Sequence, residues 1–219
     1  MYYYIIGAII VGLLIWVIGS YAVVWTIEEP SYTVLEKKDG YEIREYTPYI
    51  KAEAEVTGTY DEATNMGFRI IADYIFGNNV RKESISMTTP VLESPTEQIP
   101  EKIAMTVPVL ETTSDTATRT IAFVLPSKYS LETLPTPNNS AVKLTPVSAR
   151  TVAVLRYSWY PTEARTRQKK DLLVSYLTRD KQIVAGAIET ARYNPPLSMP
   201  LTLRNEIIIP IEYYPLKRQ

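Results

Sequence analysis

The side chains of this sequence that could do chemistry are thioethers, phenols, carboxylates and basic groups, because it contains no cysteine and no histidine. That absence removes thiol nucleophiles, disulfides, thiolate and HExxH metal sites, serine–histidine triads and histidine ligation of haem. Two methionines are the most patterned of what remains. SISMTTPVLES, residues 84–94, recurs as KIAMTVPVLET, residues 102–112, so that Met87 and Pro90 reappear as Met105 and Pro108. A thioether chain is flexible and polarizable, and suits either an irregular core or a surface that adapts to flat ligands. The 17 tyrosines could line a pocket or offer a phenolate, or serve as strand residues with one wet end. Arg165, Arg167, Lys169 and Lys170 could meet ligand carboxylates or form a solvated helix face. Glu53, Glu55, Glu62, Glu83, Glu93, Glu111 and Glu206 supply carboxylates, but nothing in their spacing specifies an acid–base pair. None of the 8 glycines falls in a phosphate-cradling loop. We therefore read the protein as noncatalytic, with no metal site of its own.

The elements that must position these residues follow from periodicity. YEIREY, residues 41–46, follows an Asp39-Gly40 turn, and YIKAEAEVTG, residues 49–58, alternates Ile50, Ala52, Ala54 and Val56 with charged residues. That period of two predicts two half-buried strands joined as a hairpin. Asp61 is the predicted cap of a helix with Ala63, Met66, Ile70, Ile71, Tyr74 and Ile75 at helical spacing, ended by Gly77-Asn78-Asn79. In the two repeated stretches Ile85, Met87, Thr89 and Val91 match Ile103, Met105, Val107 and Val109 as inward positions of two strands, each interrupted by proline. Further strands are expected at 120–126, 151–159 and near the C-terminus, with a second helix from a Thr162 cap to about Arg179. AEVTGTYDEA, 54–63, is echoed by VLRYSWYPTEA, 154–164, as two related halves would require. This order predicts α+β with an antiparallel sheet.

With 46% apolar and 21% charged residues among 219, the chain can bury one sizeable core. A net charge of −1 offers no attraction to a phosphate backbone, so no nucleic-acid partner is expected. Residues 1–27 carry no charged side chain, and residues 4–25 are long enough as a helix, roughly 33 Å at ~1.5 Å per residue, to cross a hydrocarbon core. Tyr2, Tyr3 and Tyr4 at one end and Tyr21 and Trp25 at the other resemble interfacial aromatic belts. We read residues 1–27 as a single-pass membrane anchor, 28–31 as a linker and 32–219 as the domain. The rival reading is a signal peptide cleaved after Ser20-Tyr21-Ala22, which would leave a secreted protein; the missing basic n-region and the long apolar run speak against it.

The run GTYDEA, YIFGNN, ISMTTPV, EKIAMTVPV, FVLPSKYSLETLPTPNN and YNPPLSMPLTLRNEIII resembles the SOUL haem-binding protein family over residues 32–214. The resemblance implies a distorted antiparallel β-barrel of two similar halves with two flanking helices. It also implies noncovalent binding of haem or another porphyrin in an apolar surface cleft, for buffering, storage or transfer. By position it points to Met66, Arg69, Ile70 and Tyr74 on the first helix and Tyr193 in a late loop, with Arg69 placed to pair with a propionate. Met87, Pro90, Met105 and Pro108 are then expected to shape the barrel core. The sequence departs from histidine ligation, proposed for some members, because it has no histidine. The alternative is a sensor or carrier of other apolar small molecules or lipids with incidental haem affinity.

Overall fold

The computed structural model describes residues 1–25, 27–81, 100–113, 118–195 and 197–213. The elements in chain order are α1 (Tyr2–Trp25), β1 (Tyr32–Lys38), β2 (Tyr41–Tyr46), β3 (Tyr49–Thr57), α2 (Tyr60–Ile75), β4 (Asn79–Val80), β5 (Val109–Thr113) and β6 (Thr118–Val124). There follow β7 (Thr136–Pro137), β8 (Lys143–Val147), β9 (Arg150–Tyr157), α3 (Glu163–Arg179), β10 (Ile183–Val184), β11 (Glu189–Arg192), a 3₁₀ turn (Pro200–Thr202) and β12 (Asn205–Glu212). The fold is α+β, with a curled antiparallel half-barrel ordered β1-β2-β9-β12-β11-β5-β6-β3-β8.

That order is nearly symmetric about one seam. β9-α3-β11-β12 and β3-α2-β5-β6 are two strand–helix–strand–strand units, joined where β11 pairs with β5 through Thr190 opposite Glu111 and Ala191 opposite Leu110. β2 extends one unit beside β9, and β8 extends the other beside β3. Each helix covers its own half. Ala52, Ala54, Ile121 and Phe123 pack with Ile71, Tyr74 and Ile75 of α2, while Leu155, Ile207 and Ile209 pack with Leu173 and Leu177 of α3. The alternate residues of the same strands, among them Ala122, Val124, Val152, Val154 and Ile208, form a third cluster on the concave face, as the two-residue period of a strand requires.

The β1–β2 turn and the α2 interface each demand glycine. Gly40 has φ +96°, and a Cβ there would lie 2.4 Å from the Tyr176 ring, closing the turn onto α3. A Cβ on Gly67 would lie 2.4 Å from Ile121 Cγ1, so its absence lets α2 sit close on β6.

Several expectations are corrected. β2 pairs with β1 and β9 rather than with β3, because the chain leaves β2 through Thr47-Pro48 and enters the other half of the sheet. The N-cap of α2 is Thr59, not Asp61; Thr59 N and Oγ1 both donate to Glu62 Oε2, at 3.2 and 2.7 Å. Counted from the caps, the two halves align Thr59 with Thr162, so the shared Glu-Ala of the two echoed stretches is two residues out of structural register. The second repeated stretch becomes a strand only at Val109. Ile103 N donates 2.9 Å to Ile75 O at the end of α2 instead of to a strand, and Met105 is 40% exposed rather than core. Pro108 is buried, immediately before β5. Met87 and Pro90 lie outside the described residues.

Candidate functional site

α2 carries most of the residues expected to meet a ligand, but on two different faces. Met66 and Arg69 are exposed, and Ile70 is half-buried against the first core. Tyr74 points inward, where its hydroxyl donates 2.9 Å to Pro135 O and burial raises the phenol far above its ordinary value. Tyr193 is buried in the concave cluster, not beside α2. Its hydroxyl donates 2.7 Å to Glu206 Oε2; burial first, then the Glu206 charge, raises this phenol too. The structure thus brings Met66, Arg69 and Ile70 together and leaves Tyr193 apart from them. Sequence reasoning missed Phe68 and Phe76, 41% and 58% exposed on the same helix. Phe68 leans on Phe123 with ring centroids 5.2 Å apart. Their signal was available: each is a large apolar residue one position past the buried stripe of Ala63, Gly67, Ile71 and Ile75.

A second candidate opens at the end of the concave face. This cleft, about 610 Å³, is walled by Glu28–Ser31 of the segment after α1, by Tyr49 and Ile50 of β3, and by Val124–Ser127 with Tyr129. The volume suits a drug-sized ligand. Its polar groups are already engaged. Glu28 Oε1 accepts from Ser127 N at 2.7 Å, and Glu29 pairs with Arg204 at 2.9 Å. Tyr49 Oη accepts from Arg150 Nη2 at 2.7 Å, and burial pushes its phenol up to about 12. Tyr129 donates 2.8 Å to Glu101, and its phenol is raised by burial and then by that bond. Among the described residues no lysine or arginine lines this cleft.

The buried charges are internally matched. On the concave side Glu206 receives Arg44 Nη1 at 3.1 Å, Arg204 Nε at 3.0 Å and the Tyr193 hydroxyl. On the helix side Glu111 receives Arg119 at 2.9 Å and Arg192 at 2.7 Å. Both guanidiniums lie over the Tyr60 ring, 5.0 and 5.2 Å from its centroid. Glu206, with two guanidiniums and a hydroxyl, and Glu111, with two guanidiniums, hold strands together. Among the described residues no cluster of histidine, cysteine, aspartate and glutamate could hold a metal ion. Of the basic cluster on α3, Arg165 donates to Tyr160 O, Arg167 pairs with Glu163, and Lys170 is half-buried with its pKa lowered by desolvation.

The profile of the family described as SOUL heme-binding protein matches residues 27–210. No curated protein shows a significant match to the sequence. Among solved structures, the EcmrR C-terminal domain superposes with a TM-score of 0.55 at 10% identity, covering 84% of this chain and 99% of that one. The EcmrR–DNA complex gives 0.55 at 9% identity, covering 80% of this chain and 57% of that one. A hydrolase from Listeria innocua gives 0.47 at 13% identity, covering 81% and 94%. At these identities the EcmrR likeness shows the fold alone, and the hydrolase likeness carries no argument.

Proposed function

The chain belongs to the SOUL heme-binding protein family, and from that premise we propose that it binds haem or a related tetrapyrrole noncovalently, without catalysis, for buffering, storage or transfer. The observation that carries this reading is the family match over residues 27–210. We assign the ligand to the outer face of α2, where Met66, Phe68 and Ile70 offer apolar contact and Arg69 a guanidinium for a propionate. Tyr74 supports this site from the interior, where its hydroxyl is engaged, and Tyr193, bonded to Glu206 on the concave face, stands apart from it. In this reading α1 anchors the protein in a membrane through residues 4–25.

The residues present fit the porphyrin better than its iron. Tyrosine is a neutral phenol near pH 7, burial raises Tyr49 and Tyr129 further, and both line the cleft rather than α2. Retention would rest on apolar contact and propionate pairing. Titration of the full chain in detergent with hemin and with metal-free protoporphyrin, read at the Soret band, tests this. Saturable binding of both within about threefold in affinity is expected. Absence of a saturable shift at micromolar protein would remove the proposal.

The cleft favours a second reading, a sensor or carrier of neutral or cationic apolar molecules or lipids. Its apolar walls and carboxylates, without a basic group to neutralise propionates, support that chemistry. A neutral lipid probe in the cleft is expected to stay bound when hemin is added; mutual displacement would merge the two sites into one.

A further inference from the structure

The loop between β11 and β12 turns back along α1. Trp16 Nε1 donates 2.9 Å to Leu197 O, and Met199 N donates 2.9 Å to Ser20 Oγ. Trp16 and Ser20 both lie inside the apolar helix, which continues to Trp25. The tip of the loop is therefore level with the apolar part of the helix. At that tip Leu197 is 87% exposed and Leu201 57% exposed. Trp159 and Tyr160 are exposed at its base, where Trp159 N donates 2.9 Å to Pro200 O.

We propose that Leu197–Leu203 is a second membrane element, inserting Leu197 and Leu201 among the acyl chains of the leaflet that holds the C-terminal part of α1. This rests on the anchor reading of α1. A lipid-exposed backbone must have its polar groups partnered, and several of this loop's are. Pro195 and Pro200 have no N–H to satisfy. Ser198 N donates to Pro195 O, Thr202 N to Met199 O and Leu203 N to Pro200 O, while α1 itself takes up the Leu197 carbonyl and the Met199 N–H. The Trp16 indole and Ser20 hydroxyl are correspondingly satisfied by the loop, Ser20 also donating 2.8 Å to Trp16 O. An apolar tip, a proline-rich backbone with internal partners and aromatic residues at the base match an element buried about 5–10 Å below the headgroups.

Because the chain contains no cysteine, single-cysteine variants can each carry one environment-sensitive fluorophore. Leu197→Cys, Ile10→Cys and Lys181→Cys full-length chains, labelled with nitrobenzoxadiazole, are reconstituted in phosphatidylcholine vesicles containing lipids spin-labelled on the acyl chain. We expect at least twofold quenching at positions 197 and 10, and none at 181. Quenching at 10 but not at 197 leaves the anchor in place and overturns the loop insertion. No quenching at 10 overturns the anchor, and the proposal with it. Adding Trp16→Phe to the Leu197→Cys chain is expected to reduce quenching at 197; unchanged quenching would show that α1 does not hold the loop at that depth.

Discussion

The two halves of the sheet carry the same helix in the same place, yet the helices differ where they face away from it. Counted from Thr59 and Thr162, Ala63 corresponds to Thr166 and Tyr74 to Leu177, all buried. At the outward positions Met66, Phe68 and Phe76 of α2 correspond to Lys169, Asp171 and Arg179 of α3. The fold is therefore satisfied by a polar outer face, and α3 shows it. Met66, Phe68 and Phe76 are exposed apolar side chains where α3 has polar ones, which is the reason we propose the ligand there. Concentrated exposed apolar side chains mark binding surfaces in general.

The largest effect that separates the halves should come from the approach of each helix. Gly67→Ala puts a methyl group into Ile121 and is expected to destabilise the protein by about 1–3 kcal/mol, the usual cost of overpacking. Lys170→Ala, at the corresponding place in α3, is expected to cost less in the same denaturant titration. Equal losses would mean that the close contact of α2 is not peculiar to its half. The caps should behave alike: Thr59→Ala and Thr162→Ala are each expected to cost about 1 kcal/mol. A loss confined to one of them would break the equivalence of the two helix starts.

A smaller difference lies in pH. The Thr59 hydroxyl and backbone bonds hold the Glu62 carboxyl below its ordinary value, whereas Thr162 caps α3 by accepting from Arg165 N at 3.3 Å. A carboxyl lowered in the folded state adds stability above its unfolded pKa and loses it as pH falls through the folded one. Acidification below about pH 4.5 should therefore weaken the start of α2 more than that of α3, seen as earlier loss of amide protection at Ala63. Glu62→Gln should remove that dependence; its persistence would assign the acid sensitivity elsewhere.

Much of this was legible in the sequence because it rests on local periodicity. The alternation of Ala52, Ala54 and Val56, the Thr162 cap and the charge-free run before Glu28 each act over a few residues, and the structure shows them as β3, α3 and α1. What was not legible depends on contacts between distant segments. Ile103 joins Ile75 rather than a strand, which leaves Met105 exposed although its neighbours alternate as a strand should. Glu206 meets Arg44 across 162 positions, and no spacing rule announces such a pair. Phe68 and Phe76 stood one residue off a correctly read stripe, and comparison with α3 adds to that signal.

The account turns on α2 rather than α3 as the ligand-facing helix, and hemin titration of two double variants tests that directly. Met66→Ser with Phe68→Ser is expected to weaken hemin binding at least tenfold, about 1.4 kcal/mol, whereas Lys169→Ser with Asp171→Ser leaves it unchanged. Full affinity in the α2 variant, or an equal loss in both, would contradict the assignment.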